Sequence, residues 1–341
     1  MTPRRALALF ALALIAIALA SLLVGPAALT PAETALALAG GGPEWARVVV
    51  WEVRLPRVAL GILGGAALGG AGHALQGLFR NPLADPSVLG VASGATLGAV
   101  SALYLLGGAL AGVALLVGLP LAAFAVALAT AALVYRLSSR GPVISTEQLV
   151  LAGLALSSLT SALTSLVLAI ALADWELGRQ LLSWMLGGLE DRTLAHVALS
   201  APLVVLPLLA LAPHLRALDA LALGEEHALS VGVDVARLRR IVLALTSLLT
   251  AATVAVMGSL PFVGLVVPHL ARRLGGPLHA RSLPLSVLGG ALLVVIADTL
   301  SRAAAGRFDL RPGVLTSLVG APFFVLLLVR ERGRQAEEGA A

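Results

Sequence analysis

Apolar runs of about 20 residues, the length a helix needs to span a bilayer, recur along the whole of this 341-residue chain. Only 12% of its residues are charged and 59% are apolar, whereas a soluble domain carries roughly 25% charged residues. So few charges cannot coat a water-facing surface. The chain reads as an all-α polytopic membrane protein, one transmembrane domain over residues 1–341. Ten transmembrane helices are expected at residues 6–24, 58–78, 86–106, 110–134, 147–170, 194–212, 241–257, 262–274, 283–300 and 313–329. The first could be confused with a secretion signal, but its apolar run exceeds the roughly 7–15 residues of such a segment. The eighth is short and broken by Pro261 and Pro268. Such a helix is tolerated only where neighbouring protein covers its freed carbonyls.

The chain has no cysteine, which removes disulfides and thiolate chemistry. It also has no lysine, so all 23 basic residues are arginine and no phosphate-binding P-loop can form. With the N-terminus inside, fifteen arginines fall on inner segments. Eight fall outside: Arg47, Arg54, Arg57, Arg179, Arg192, Arg302, Arg307 and Arg311. This bias follows the positive-inside rule and places both termini in the cytoplasm. The net charge of +5 is thus a sign of orientation in the bilayer and not of nucleic-acid binding.

Within the spans, Gly61, Gly65 and Gly69 recur every four residues and allow a second helix backbone to approach. Asp298 is the clearest intramembrane carboxylate and lies near the outer end of its span. A carrier driven by an ion gradient needs a central one. The six histidines form no metal-ligand spacing and read as packed or interfacial.

Four polar stretches interrupt the apolar pattern. In "QGLFRNPLADPSVLGVASGA", Asn81-Pro82 marks a turn and Asp85-Pro86 reads as a helix cap with proline opening the next helix. In "GPVISTEQLVLAG", Ser145 and Gln148 have capping-box spacing. Residues 218–240 are too polar to span; they read as a short amphipathic helix, a break near Gly232, and a second short helix capped by Asp234. That segment either lies in the interface or docks a cytoplasmic partner. "WEVRLPR" sets Arg54 and Arg57 on the outer side, where they either snorkel to headgroups or bind a partner.

Taken together, these stretches carry a resemblance. "RLPR", "GGAALGGAGHALQGLFRNPLADPSVLGVASGATLGAV", "LLSWMLGGL", "LGEEHALSVGVDVARLRR", "GSLPFVGLVVPHLARRLGG", "ADTLSR" and "RPGVLTSLVGAPFFVLLLVR" occur in order over nearly all of residues 51–330. Together they resemble the FecCD-type permeases of ABC importers for iron chelates, haem and cobalamin.

The resemblance implies a type II importer permease fold with short extra outer and cytoplasmic coupling helices, set in a bacterial cytoplasmic (inner) membrane. It implies a second permease subunit, expected as a homodimer, two ATP-binding cassette subunits and an extracytoplasmic substrate-binding protein. The chain itself would bind no cofactor; ATP–Mg would sit on the separate ATPase, and this subunit would be non-catalytic. A ferric siderophore or haem is the expected cargo, with cobalamin as the alternative and an ATP-independent secondary carrier as the competing class.

By the same resemblance Arg54, Arg57 and Arg302 dock the binding protein, and Ser145 and Thr146 belong to the cytoplasmic gate. Residues 217–240 are implied as coupling helices, with Leu218, Gly224, Glu225, Ala228, Leu229, Gly232, Val233 and Arg237 meeting the ATPase. Residues 331–341 are expected as a cytoplasmic tail. One departure is Arg311, inserted between Leu310 and Pro312 where the family has Leu-Pro.

Overall fold

The computed structural model describes residues 2–86, 90–106, 113–140, 143–144, 146–304, 308 and 310–338. Among them the chain is helical except for a two-residue antiparallel ladder, Ser139–Arg140 against Val143–Ile144. α1 (Pro3–Leu23) leads to the short α2 (Pro31–Leu38) and α3 (Glu44–Val48). A π-helical turn, Val49–Arg54, then runs straight into α4 (Leu55–Leu78). α5 (Val91–Leu106), α6 (Val113–Ser138), α7 (Thr146–Ala171), α8 (Trp175–Met185) and α9 (Leu194–Leu211) follow. After a 3-10 turn come α10 (Leu215–Ala222), α11 (Glu225–Ser230), α12 (Val235–Met257), α13 (Val263–Gly275), α14 (His279–Ala304) and α15 (Pro312–Glu338).

A helix lies at each of the ten expected positions, but length and composition account for seven crossings. α5 and the apolar part of α15, Pro312–Leu327, are shorter. α13 has 13 residues, about 20 Å of helix against a hydrocarbon core of about 30 Å. It survives because neighbours bury it. Pro268 lacks the N–H that would bond the Gly264 carbonyl one turn earlier, and Gln76 Nε2 donates there instead, at 3.3 Å, and to Leu265 O at 3.1 Å. The Gln76 carbonyl oxygen in turn accepts from the Arg272 guanidinium.

The turn after α4 is tight, with Arg80 at φ 50° and the Asn81 side chain accepting from Leu83 N at 2.8 Å. Pro86 begins a 3-10 turn, and α5 starts at Val91, just after Gly90 at φ 71°; residues 87–89 lie outside the described set. Asp234 does cap a helix, accepting from Arg237 N at 2.9 Å. That helix is the 23-residue α12 itself, so the span starts at Val235 and no separate second helix precedes it. The 331–341 segment is no separate tail as far as Glu338, because α15 continues through it.

The core of the fold is the antiparallel pair α4–α14. Arg57 meets Asp298, Gly61 meets Val294 and Val295, Gly65 meets Gly290, Gly69 meets Ser286, and His73 meets Ser282 and Ser286. Both helices step by four residues, so one ridge lies in the other's groove. At the centre the backbones touch: a Cβ on Gly65 would sit 2.2 Å from Gly290 O, and one on Gly290 2.0 Å from Gly65 O. Glycine is required there, although each costs about 1 kcal/mol of helix propensity relative to alanine. α13 closes on the adjoining face, where a Cβ on Gly72 would fall 1.9 Å from Gly264 O.

Replacing Gly65 by valine therefore overpacks the seam and should destabilise by about 1–3 kcal/mol. Thermal unfolding in detergent should show this as a clear drop in midpoint. Gly188→Ala, whose Cβ meets only the Arg311 side chain, should leave it unchanged. Equal responses from the two variants would rule out backbone contact at Gly65.

Candidate functional site

Three places in this scaffold gather polar side chains: its two ends and one cavity between α5 and α7.

At the end that carries α2 and α3, the outer arginines expected to face a partner are instead buried and bonded internally. Arg54 is 2%, Arg57 8%, Arg302 6% and Asp298 1% exposed. Arg57 donates to Asp298 Oδ1 through Nη2 at 2.8 Å and Nε at 3.2 Å. Arg302, one turn beyond Asp298 on α14, donates to Oδ2 at 2.9 Å. The remaining donors close the end of α1, whose last carbonyls have no partner within their own helix. Arg302 reaches Ser21 O at 2.8 Å and Val24 O at 2.6 Å, and Arg54 reaches Leu22 O at 2.6 Å and also Ala27 O. One carboxylate and one helix end thus hold three guanidinium groups. The cluster keeps a positive surplus.

Beside it, the loop before α9 and the start of α15 line a polar cavity of about 440 Å³ with Arg179, Trp184, Glu190, Arg192 and Arg311. The inserted Arg311 bonds Glu190 there and ties the two segments together. Burial pushes the Arg192 guanidinium below its ordinary pKa, with Asp191 acting in the opposite direction.

Between α5 and α7 lies a cavity of about 360 Å³ lined by hydroxyls, Ser93 and Thr96 on one side and Ser157, Ser161, Thr164 and Ser165 on the other. Met185 at the end of α8 and Ser259 complete it. Among the described residues none that lines it is charged. α7 is largely unburied within this chain, with Leu151, Leu154, Leu163 and Leu166 exposed. Of the two expected gate residues, Ser145 lies outside the described residues and Thr146 is the first residue of α7.

The opposite end holds α10 and α11. Leu218 and Leu221 bury α10, and Ala228 buries α11. Glu225 is exposed and accepts from Arg239 at 2.7 Å, tying α11 to α12. Gly224 at φ 129° and Gly232 at φ 83° make the two bends around α11, and a side chain at either would be strained. Val233 N bonds Ala228 O at 2.9 Å, closing the second bend. Large apolar side chains are uncovered here as well: Leu223 is 72%, Leu229 57% and Val231 57% exposed. Arg237 is also exposed. Leu218 and Ala228 are thus inward anchors, while Glu225, Leu229 and Arg237 are on the surface.

The histidines hold a further polar arrangement that spacing could not reveal. His279 Nδ1 lies 2.6 Å from Asp219 of α10, and the His279 ring meets His73 edge-on at 5.1 Å. Sixty residues separate Asp219 from His279, so no local pattern joins them.

Removing the Asp298 carboxylate leaves two buried arginines uncompensated, a loss of roughly 3–5 kcal/mol. Asp298→Ala should therefore lower the unfolding midpoint and yield sharply, while Glu52→Ala on the exposed face of the same end should not. A stable Asp298→Ala protein would show that the cluster is solvated.

The model of the FecCD transport family matches residues 12–330. The cobalamin import permease BtuC of Halobacterium salinarum is 41% identical over 88% of this chain and 78% of its own. The ferric dicitrate permease FecD of Escherichia coli is 41% identical over 83% and 86%. A solved structure described as an inward-facing ABC transporter of the metal-chelate type superposes with a TM-score of 0.83 at 31% identity, covering 96% of this chain and 99% of that one. On the strength of a family match that runs nearly end to end, carried by the same fold, this chain belongs to the FecCD transport family.

Proposed function

We propose that this chain is the membrane subunit of an ABC importer for a metal chelate, driven by a separate ATPase and fed by a substrate-binding protein. The observation that carries the reading is the α10–α11 segment. It is anchored inward by Leu218, Leu221 and Ala228 and presents Leu223, Leu229 and Val231 uncovered at a polar end of the molecule. Exposed leucines beside Glu225 and Arg237 suit a protein cleft better than water. The two glycine bends hold them at a fixed angle to α12.

In this reading all ten long helices cross or enter the bilayer, with α5 and α13 covered by neighbours. The bacterial cytoplasmic membrane holds the chain with both termini and α10–α11 inside. A second copy of the chain covers the open face of α7, so that the hydroxyl-lined cavity becomes half of a path between subunits. Hydroxyls without charge neither trap nor repel a large polar chelate. Equal identity to a cobalamin and a ferric dicitrate permease fits such a path, with cargo selection in the binding protein. Ferric siderophore or haem is the cargo class proposed first and cobalamin second. The gate role stays with Ser145 and Thr146 on the family resemblance alone, Thr146 being the first residue of α7, and ATP–Mg belongs to the partner alone.

Docking of the binding protein at the opposite end then takes a specific form. A carboxylate from the partner must compete with Asp298 and the α1 carbonyls for Arg54, Arg57 and Arg302, using the surplus positive charge of that cluster. An ion-gradient carrier is disfavoured by the same cluster. Asp298 is the only buried carboxylate among the described residues; it is bonded to two arginines and does not line the cavity.

Co-expression with the ATP-binding subunit tests the assignment. The wild-type chain should co-purify with it in equal amounts. Leu229→Glu should weaken the assembly at least about tenfold, as loss of a central apolar anchor does, without changing the chain's own unfolding midpoint. A wild-type chain that retains no ATPase would overturn the reading.

A further inference from the structure

α14 begins at His279 and so has backbone N–H groups without acceptors in its own helix. Asp219, on α10, supplies one: its Oδ1 accepts from His279 N at 2.8 Å. The same oxygen lies 2.6 Å from His279 Nδ1. A residue of another helix thus acts as the N-cap of α14, and its negative charge faces the positive end of the helix dipole. The contact is sheltered, with side-chain exposures of 4% for His279 and 23% for Asp219.

The far side of the His279 ring is fixed as well. Nε2 is buried and has no hydrogen-bond partner. It rests over Gly77, where a Cβ would come within 2.2 Å of it. The ring can therefore donate only through Nδ1, toward Asp219, and cannot turn without striking α4. His73, edge-on to it, bonds Ser286 Oγ at 2.9 Å. α10, α14 and α4 are joined at one point. From there α14 runs 26 residues, about 39 Å, and carries Asp298 and Arg302 toward its opposite end.

We propose that Asp219 and His279 are positioning residues that lock the α10–α11 segment to the α4–α14 pair, so that movement of one end of the molecule reaches the Arg57–Asp298–Arg302 cluster at the other. This rests on the importer reading, which gives the two ends their partners. Along their seam α4 and α14 are in contact from the Arg57–Asp298 pair, through Gly65 and Gly290, to His73 and Ser286, so the two helices move together. A displacement of α10 is then passed along α14 as a rigid shift. Coupling of this kind is reciprocal: a partner bound at one end changes affinity at the other by the same factor in both directions.

The test uses the full complex of this chain, its ATPase and the binding protein, reconstituted in lipid. Each variant's stimulation by the binding protein is expressed relative to its own basal ATPase rate. Asp219→Ala should assemble with normal stoichiometry yet lose stimulation about tenfold, and the effect of ATP on binding-protein affinity and that of the binding protein on ATP affinity should fall by one common factor. Asp219→Asn keeps an acceptor for both N–H groups and should retain most of the stimulation. The double variant Asp219→Ala/His279→Ala should be no worse than either single change. If Asp219→Ala does not assemble, His279→Asn carries the test: its amide can still donate to Asp219, and a reduced but measurable stimulation is expected. Full stimulation in Asp219→Ala, or in His279→Asn where that is the variant measured, overturns the proposal. A wild-type complex without any stimulation would instead remove the importer reading on which the proposal rests.

Discussion

Backbone contact between α4 and α14 is the constraint on which the remaining structure depends. In a bilayer the helices gain little from burying apolar surface against one another, because lipid is equally apolar. Close packing has to supply the energy, and it does so where Gly65 and Gly290 remove the side chains between two backbones. The four-residue step of this seam fixes the register of both helices over five turns. Every polar tie described above sits at a position that the register dictates: Arg57 with Asp298 at one end, His73 with Ser286 at the other.

The polar groups in the spans serve this geometry and add to it. Gln76 supplies the donor that Pro268 withholds, which lets a 13-residue helix end inside the protein. Arg54 and Arg302 close α1 in place of residues of its own. Burying charges is costly, and it is tolerated because each guanidinium finds several acceptors at once. Such a cluster resists small changes but can exchange partners. That property suits a docking end better than a purely apolar one would.

The helices, their order and the membrane setting were legible because apolar length and arginine placement are one-dimensional signals. The four-residue glycine repeat foretold a close approach but not its partner, since α14 lies more than 200 residues away in the chain. Asp298 and the outer arginines were visible as anomalies one by one. Their mutual bonds were not, because an isolated sequence does not say which charges share a helix end. For the same reason Arg54, Arg57 and Arg302 seemed available to a partner when each already has one. Asp219 and His279 gave no signal at all. The cap at Asp234 was correctly placed, but the length of what it caps was misjudged, because Arg237, Arg239 and Arg240 made the first turns of α12 look too polar to belong to a span.

In the proposed importer this subunit would be a passive path whose opening is set from its ends. A hydroxyl-lined cavity without charge has no means of its own to concentrate a cargo. In the proposed importer, work would enter through α10–α11 and selection through the opposite face. Uptake of a ferric chelate into proteoliposomes containing this chain, its ATPase and the binding protein tests this most directly. The account predicts accumulation above the external concentration only when ATP is present on the α10–α11 side. Accumulation without ATP, driven by a proton or sodium gradient, would contradict it.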